Sequence, residues 1–112
     1  MNIFEEYIKK ITNLILKNKE FLNLDNLNNF KGIAVESPPP EFDFDLSCNA
    51  GLLLGKINKI DPKYLANKIK DLIIKELKDF ENIEVAGPGF LNLRLTKESL
   101  ISKINEILNN KE

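Results

Sequence analysis

Histidine is absent from the chain, cysteine occurs once, at Cys48, and arginine once, at Arg94. Without histidine there is no Ser-His or Cys-His pair to activate a nucleophile, and one thiol with no imidazole excludes a protein-only Cys/His zinc site. The chain by itself is therefore expected to catalyse nothing, and its single cysteine has no partner for an internal disulfide. Long apolar runs are also missing: Leu14-Ile15-Leu16 is far short of the roughly 20 residues that span a bilayer, so no membrane segment is expected. Glu5 and Glu6 stand where an export signal would be basic or apolar, which predicts a cytoplasmic protein. No sign of charge predominates, since 16 basic and 17 acidic residues leave a net charge of −1. The molecule as a whole exerts no long-range pull on a polyanion, and any nucleic-acid contact has to be local.

What is present is the composition of a folded domain. With 112 residues, 43% hydrophobic and 29% charged, residues 1–112 form one domain, large enough to bury roughly two-thirds of its unfolded surface. Asn2 and Glu5 fit an N-cap and its reciprocating residue, and Phe4, Tyr7, Ile8, Ile11, Leu14 and Ile15 recur at helical spacing. The asparagine-rich stretch from Asn18 to Asn29 reads as turns with Phe21, Leu22, Leu24 and Leu27 set among them. A strand over 32–36 is stopped by Ser37-Pro38-Pro39-Pro40, and Phe42, Phe44 and Leu46 alternate with Asp43 and Asp45 as a second strand pairing with the first. Ser47 or Asp45 is expected to cap a helix carrying core residues Cys48, Ala50 and Leu52 to Leu54 and ending at Gly55.

Asp61-Pro62 opens the next helix, with Leu65, Ile69, Leu72, Ile73, Leu77 and Phe80 as its apolar stripe. A hairpin spans 83–95, and Thr96 caps a last helix with Leu100, Ile101, Ile104, Ile107 and Leu108 directed inward, before the polar linker boundary from Asn109 to Glu112. The order α-β-β-α-α-β-β-α predicts a two-layer α+β domain: a four-stranded, mostly antiparallel sheet with helices on one face.

The hairpin sorts its residues by face. Side chains alternate along a strand, so Leu91, Leu93 and Leu95 point one way while Phe90, Asn92 and Arg94 point the other. An aromatic plane, an amide that donates and accepts, and a guanidinium suit an unpaired nucleotide through stacking, base-edge hydrogen bonding and phosphate contact. The plain alternative is a hairpin with a leucine core face and an ordinary surface face, along which Arg94 lays its alkyl stem. Gly87, Pro88 and Gly89 form the tight turn between the strands; they lack the lysine and following helix of a P-loop, which leaves ATP binding unsupported.

The run Ala86-Gly87-Pro88-Gly89-Phe90-Leu91-Asn92-Leu93-Arg94-Leu95 resembles the GPGF(I/L)N segment closing the N-terminal additional domain of arginyl-tRNA synthetases. Upstream, Asp45-Leu46-Ser47-Cys48-Asn49-Ala50, then Lys56, then Asp61-Pro62-Lys63-Tyr64-Leu65-Ala66 resembles the family's GDLATNAA, K and NPRELA stretch in order and spacing. Two departures stand out: Phe44 replaces the usual glycine before the aspartate, and Asp43 the frequent histidine before that. The resemblance covers essentially the whole chain. It implies a tRNA-binding N-terminal domain whose residues matching Phe90 and Asn92 contact a D-loop nucleotide at the tRNA elbow. It also implies that ATP and arginine are handled by a catalytic domain not present here. Partners implied are an arginine-specific tRNA and the rest of the synthetase; a monomer is expected.

Asn49, matching the motif asparagine, either satisfies backbone groups at its helix start or faces RNA. Glu41, Asp43 and Asp45 would share a face of a short strand, a set able to hold a hard cation, but a solvated acidic face that discourages edge pairing explains them more simply. No metal is expected. Lys56, Lys59, Lys63 and Lys68 lie in and after the loop joining the middle helices, as a phosphate-contacting edge or as ordinary solvated lysines. The triple proline lacks the basic flanks of a PxxP ligand and reads as a rigid connector. The rival function is a protein-interaction module docking a partner through the hairpin face or an edge strand.

Overall fold

The computed structural model describes residues 2–28 and 30–109; Asn29, at the end of the asparagine-rich stretch, and 110–112 of the polar tail lie outside the described residues. Helix α1 (Ile3–Lys17) starts as its sequence dictates, with the Asn2 side chain accepting from the Glu5 N–H at 2.8 Å. A 3-10 turn (Phe30–Gly32) leads to strand β1 (Val35–Glu36), followed by β2 (Leu46–Cys48), α2 (Ala50–Asn58), α3 (Pro62–Glu76), β3 (Phe80–Ala86), β4 (Phe90–Leu95) and α4 (Lys97–Asn109). The strands form one antiparallel sheet in the order β1-β2-β4-β3. The expected α+β class and element order hold.

One face of the sheet is the core. Leu46 lies opposite Leu93 and Cys48 opposite Leu91, while Ile83 faces Leu93 from the other side. All are buried together with Tyr7, Ile11 and Ile15 of α1, Leu54 of α2, and Leu65, Ile69 and Ile73 of α3. Each such leucine or isoleucine contributes roughly 1.5–3 kcal/mol by leaving water.

Several local expectations are corrected. The second strand is Leu46–Cys48 rather than 42–46, because Phe42 N–H bonds back to the Pro39 carbonyl in a turn and only from Asp45 onward does the chain meet β4. Cys48 is core as expected, but from a strand. Asp45 does not cap α2: its carboxylate accepts from the Leu95 N–H at 2.9 Å, and Asn49 occupies the cap position without a side-chain cap bond. Gly55 does not end α2, which continues to Asn58; it is instead where Pro62 comes close, since a Cβ there would lie 2.8 Å from Pro62 Cα. Helix α3 stops at Glu76, so Phe80 opens β3 and packs its ring 5.3 Å from that of Tyr7.

The largest correction concerns α4. Thr96 caps it as expected, accepting from the Ser99 N–H at 3.1 Å. Its apolar stripe, however, is not inward: Leu100, Ile101, Ile104, Ile107 and Leu108 are 38% to 62% exposed. Helices α1, α2 and α3 already fill the apolar side of the sheet, which leaves α4 no core surface to cover. No helix among the described residues is long and apolar enough to cross a membrane.

Candidate nucleic-acid interface

The opposite face of the sheet carries the candidate site. Gly87 at φ +53° and Gly89 at φ +133° make the reversal from β3 to β4, closed by the Gly89 N–H on the Ala86 carbonyl. From there β4 alternates: Leu91, Leu93 and Leu95 are buried in the core, and Phe90, Asn92 and Arg94 emerge on the uncovered side. Asn92 lies between Ser47 of β2 and Glu84 of β3, Phe90 opposite Ala86, and Arg94 opposite Asn82. Glu36 continues the Asn92 row across β1.

Asn92 is the one buried polar residue among the described residues, at 7% exposure. Its side chain forms no hydrogen bond to any described residue, yet no fully enclosed side-chain polar atom among the described residues lacks a partner, so the amide still meets solvent at its tips. It forms the floor of the face beside the partly exposed Phe90 ring. Arg94 is differently engaged. Its Nε donates to the Asp43 carbonyl at 3.0 Å, an Nη to the Asp43 carboxylate at 2.9 Å, and its guanidinium stacks 5.2 Å from the Phe44 ring centroid. Asp43 and Phe44 thus hold the arginine and pin the 43–45 segment to β4. Asn49 accepts from the Ala34 N–H at 2.7 Å and donates to the Gly32 carbonyl at 3.2 Å, satisfying backbone ahead of β1 rather than at its own helix start.

The face is not basic: Glu36 and Glu84 are exposed on it, and Arg94 is neutralised locally by Asp43. What it offers is a partly exposed aromatic ring able to stack on a planar group and an amide able to donate and accept hydrogen bonds. Among the described residues no group of three or more His, Cys, Asp or Glu side chains is placed to share a metal ion.

The perturbed titrations lie away from this face. Burial disfavours ionisation of Asp79, but hydrogen bonds from Tyr7 at 2.7 Å and Lys10 at 3.1 Å outweigh it and hold its carboxyl below the usual range. Burial opposes Glu6 in the same way and is overcome by Lys103 and Lys10. Burial and Asp79 together push the Tyr7 hydroxyl far upward, and burial raises the Cys48 thiol to about 11, against a backbone hydrogen bond from Ala50 that lowers it. This network ties α1, the segment before β3 and α4 together.

One cluster escaped sequence reasoning. Lys68 Nζ sits 4.6 Å from the Phe21 ring centroid and 5.4 Å from that of Tyr64. The i, i+4 spacing of Tyr64 and Lys68 in α3 was the available signal; the approach of Phe21 is tertiary.

The "Arginyl tRNA synthetase N terminal domain" family matches residues 2–95, which include the whole sheet and the Gly-Pro-Gly turn. The arginine–tRNA ligase of Pelagibacter ubique (strain HTCC1062) is 37% identical over 120 residues, covering 100% of this chain and 21% of that protein. That of Bartonella tribocorum is 40% identical over 101 residues, 87% of this chain and 16% of its own length. That of Rickettsia felis is 33% identical across 100% of this chain and 18% of its own. The chain belongs to the arginyl-tRNA synthetase N-terminal domain family, and it spans about a fifth of the length of the curated relatives it matches.

Proposed function

We propose that this chain is a tRNA-binding domain that takes one unpaired D-loop nucleotide of an arginine-specific tRNA on the open face of its sheet. Phe90 stacks on the base and Asn92 reads its edge. The single observation that carries the reading is Asn92: a nearly buried amide with no side-chain partner among the described residues, set beside an aromatic ring on the uncovered face. Arg94 contributes by fixing the 43–45 segment. Working in the cytoplasm as a monomer, the domain grips the tRNA elbow so that a catalytic domain elsewhere in the synthetase, which handles ATP and arginine, receives a correctly placed acceptor end. Such remote binding energy is converted into rate by positioning.

Titration of the chain with cognate tRNA, with the same tRNA carrying a replaced D-loop nucleotide, and with a duplex RNA tests this. Preference for the intact D-loop is expected, with two or three phosphate contacts giving a log-log salt slope of about −1.5 to −3. Equal binding to all three with a steep slope would mark a generic cationic surface; binding to none would leave the protein-docking alternative.

A further inference from the structure

The row of side chains through Asn92 on the open face has a carboxylate at each end. Register places Glu84 of β3 directly opposite Asn92, Ser47 of β2 on its other flank, and Glu36 of β1 beyond Ser47. Directly paired residues hold their Cβ atoms about 4.5–5.5 Å apart, and a diagonal such as Glu84 to Phe90 is about 7–8 Å, within reach of an aromatic ring. Glu84 is exposed, and among the described residues its carboxylate has no ion pair and no hydrogen bond. The one guanidinium on this face, that of Arg94, is taken by Asp43.

Acceptors therefore outnumber donors around Asn92. An ionised carboxylate only accepts, and a side-chain amide supplies one acceptor and one donor group. The bases divide on that chemistry. Adenine, guanine and cytosine each carry an exocyclic amine, whereas uracil turns carbonyl oxygens outward.

We propose that Glu84 is a specificity-determining residue of this face, accepting from the exocyclic amine of the base stacked on Phe90 and rejecting uracil. The inference rests on the tRNA reading of the sheet face. Asn92 and Glu84 together meet a donor and an acceptor on one base edge. A uracil in the same place sets a carbonyl oxygen against the carboxylate and leaves both without a partner. The same negative charge keeps phosphate off the floor of the face, so the base and not the backbone meets the sheet.

The test is titration of four cognate tRNA transcripts, with A, G, C or U at the proposed D-loop nucleotide, into the parent chain and into variants with unchanged melts. The parent should bind the A, G and C transcripts roughly tenfold more tightly than the U transcript. Glu84→Gln removes a negative charge facing a polyanion and raises affinity for all four, so the readout is the ratio within each protein. That ratio should fall below about threefold in Glu84→Gln, because glutamine also donates, and stay near tenfold in Glu36→Gln, which makes the same charge change two strands from Asn92. A parent that binds the U transcript as tightly as the others overturns the inference. So does an undiminished ratio in Glu84→Gln, or an equal fall in Glu36→Gln. In each of those cases the sheet-face reading stands if Phe90→Ala and Asn92→Ala still weaken binding. If those two variants bind every transcript as the parent does, the sheet-face reading fails and this inference with it.

Discussion

Gly89 and Pro62 fit against each other with no room for a side chain: a Cβ on Gly89 would lie 2.9 Å from Pro62 Cβ and 3.1 Å from its carbonyl carbon. The backbone of Gly89 is also at φ +133°, where L-residues are strained. This contact joins the turn of the sheet to the start of α3. Gly89→Ala is expected to destabilise the domain by roughly 2 to 4 kcal/mol, from strain and overpacking together. Gly87→Ala, at φ +53° with its nearest neighbour 4.0 Å away, should cost only about 1 kcal/mol. Denaturant melts of the two variants check the ranking.

The two faces of β4 should separate in stability as they do in burial. Leu93 is fully buried and Leu93→Ala should cost roughly 2 to 5 kcal/mol, whereas Phe90→Ala, which removes a partly exposed ring, should cost far less. If thermal melts rank them the other way, the face assignment is inverted and the proposed RNA platform goes with it.

Acid sensitivity should come from the Tyr7 network. Asp79 and Glu6 are held below their ordinary pKa despite burial, so the unfolded chain binds more protons than the folded one in acid. Their stabilisation is fully present above the ordinary carboxylate range near pH 4 and is lost as pH falls through the folded values. With no histidine, no side chain of ordinary pKa titrates between about pH 5.5 and 8. Tm should be flat across that window and fall below about pH 4, and Asp79→Asn should flatten the acid limb. A Tm that drops between pH 7 and 5.5 would contradict the assignment.

Helix α4 should tolerate polar substitution on its apolar stripe. Ile101 and Ile107 are 50% and 58% exposed, so Ile101→Ser and Ile107→Ser should each change stability by less than about 1 kcal/mol. Losses of several kcal/mol in chemical denaturation would place the stripe inside the core after all.

How much could be read in advance follows from how local the deciding interactions are. Asn2, Asp61 and Thr96 cap their helices within three residues, and the alternation around the Gly-Pro-Gly turn fixes β4, the 83–86 half of β3 and the shared face of Phe90 and Asn92, though not the start of β3 at Phe80. The second strand was misplaced because Phe42, Phe44 and Leu46 alternate convincingly, while the pairing of Leu46 with Leu93 that sets its position is long-range. The Arg94 partner was equally out of reach, since Asp43 lies 51 residues away. The α4 stripe looked like a core stripe because periodicity marks an apolar face and not what covers it.

The most direct test of the central claim is a titration cycle at the sheet face. The parent chain, Phe90→Ala and Asn92→Ala are each titrated with cognate tRNA and with the transcript whose D-loop nucleotide is replaced. Loss of a stacked base costs roughly 1 to 3 kcal/mol, so Phe90→Ala should weaken binding of the intact tRNA by about five- to a hundredfold. Asn92→Ala should weaken it in the same direction, and neither should weaken the already impaired D-loop transcript further. If folded Phe90→Ala and Asn92→Ala chains bind intact tRNA as tightly as the parent, the proposed tRNA contact at the sheet face is contradicted.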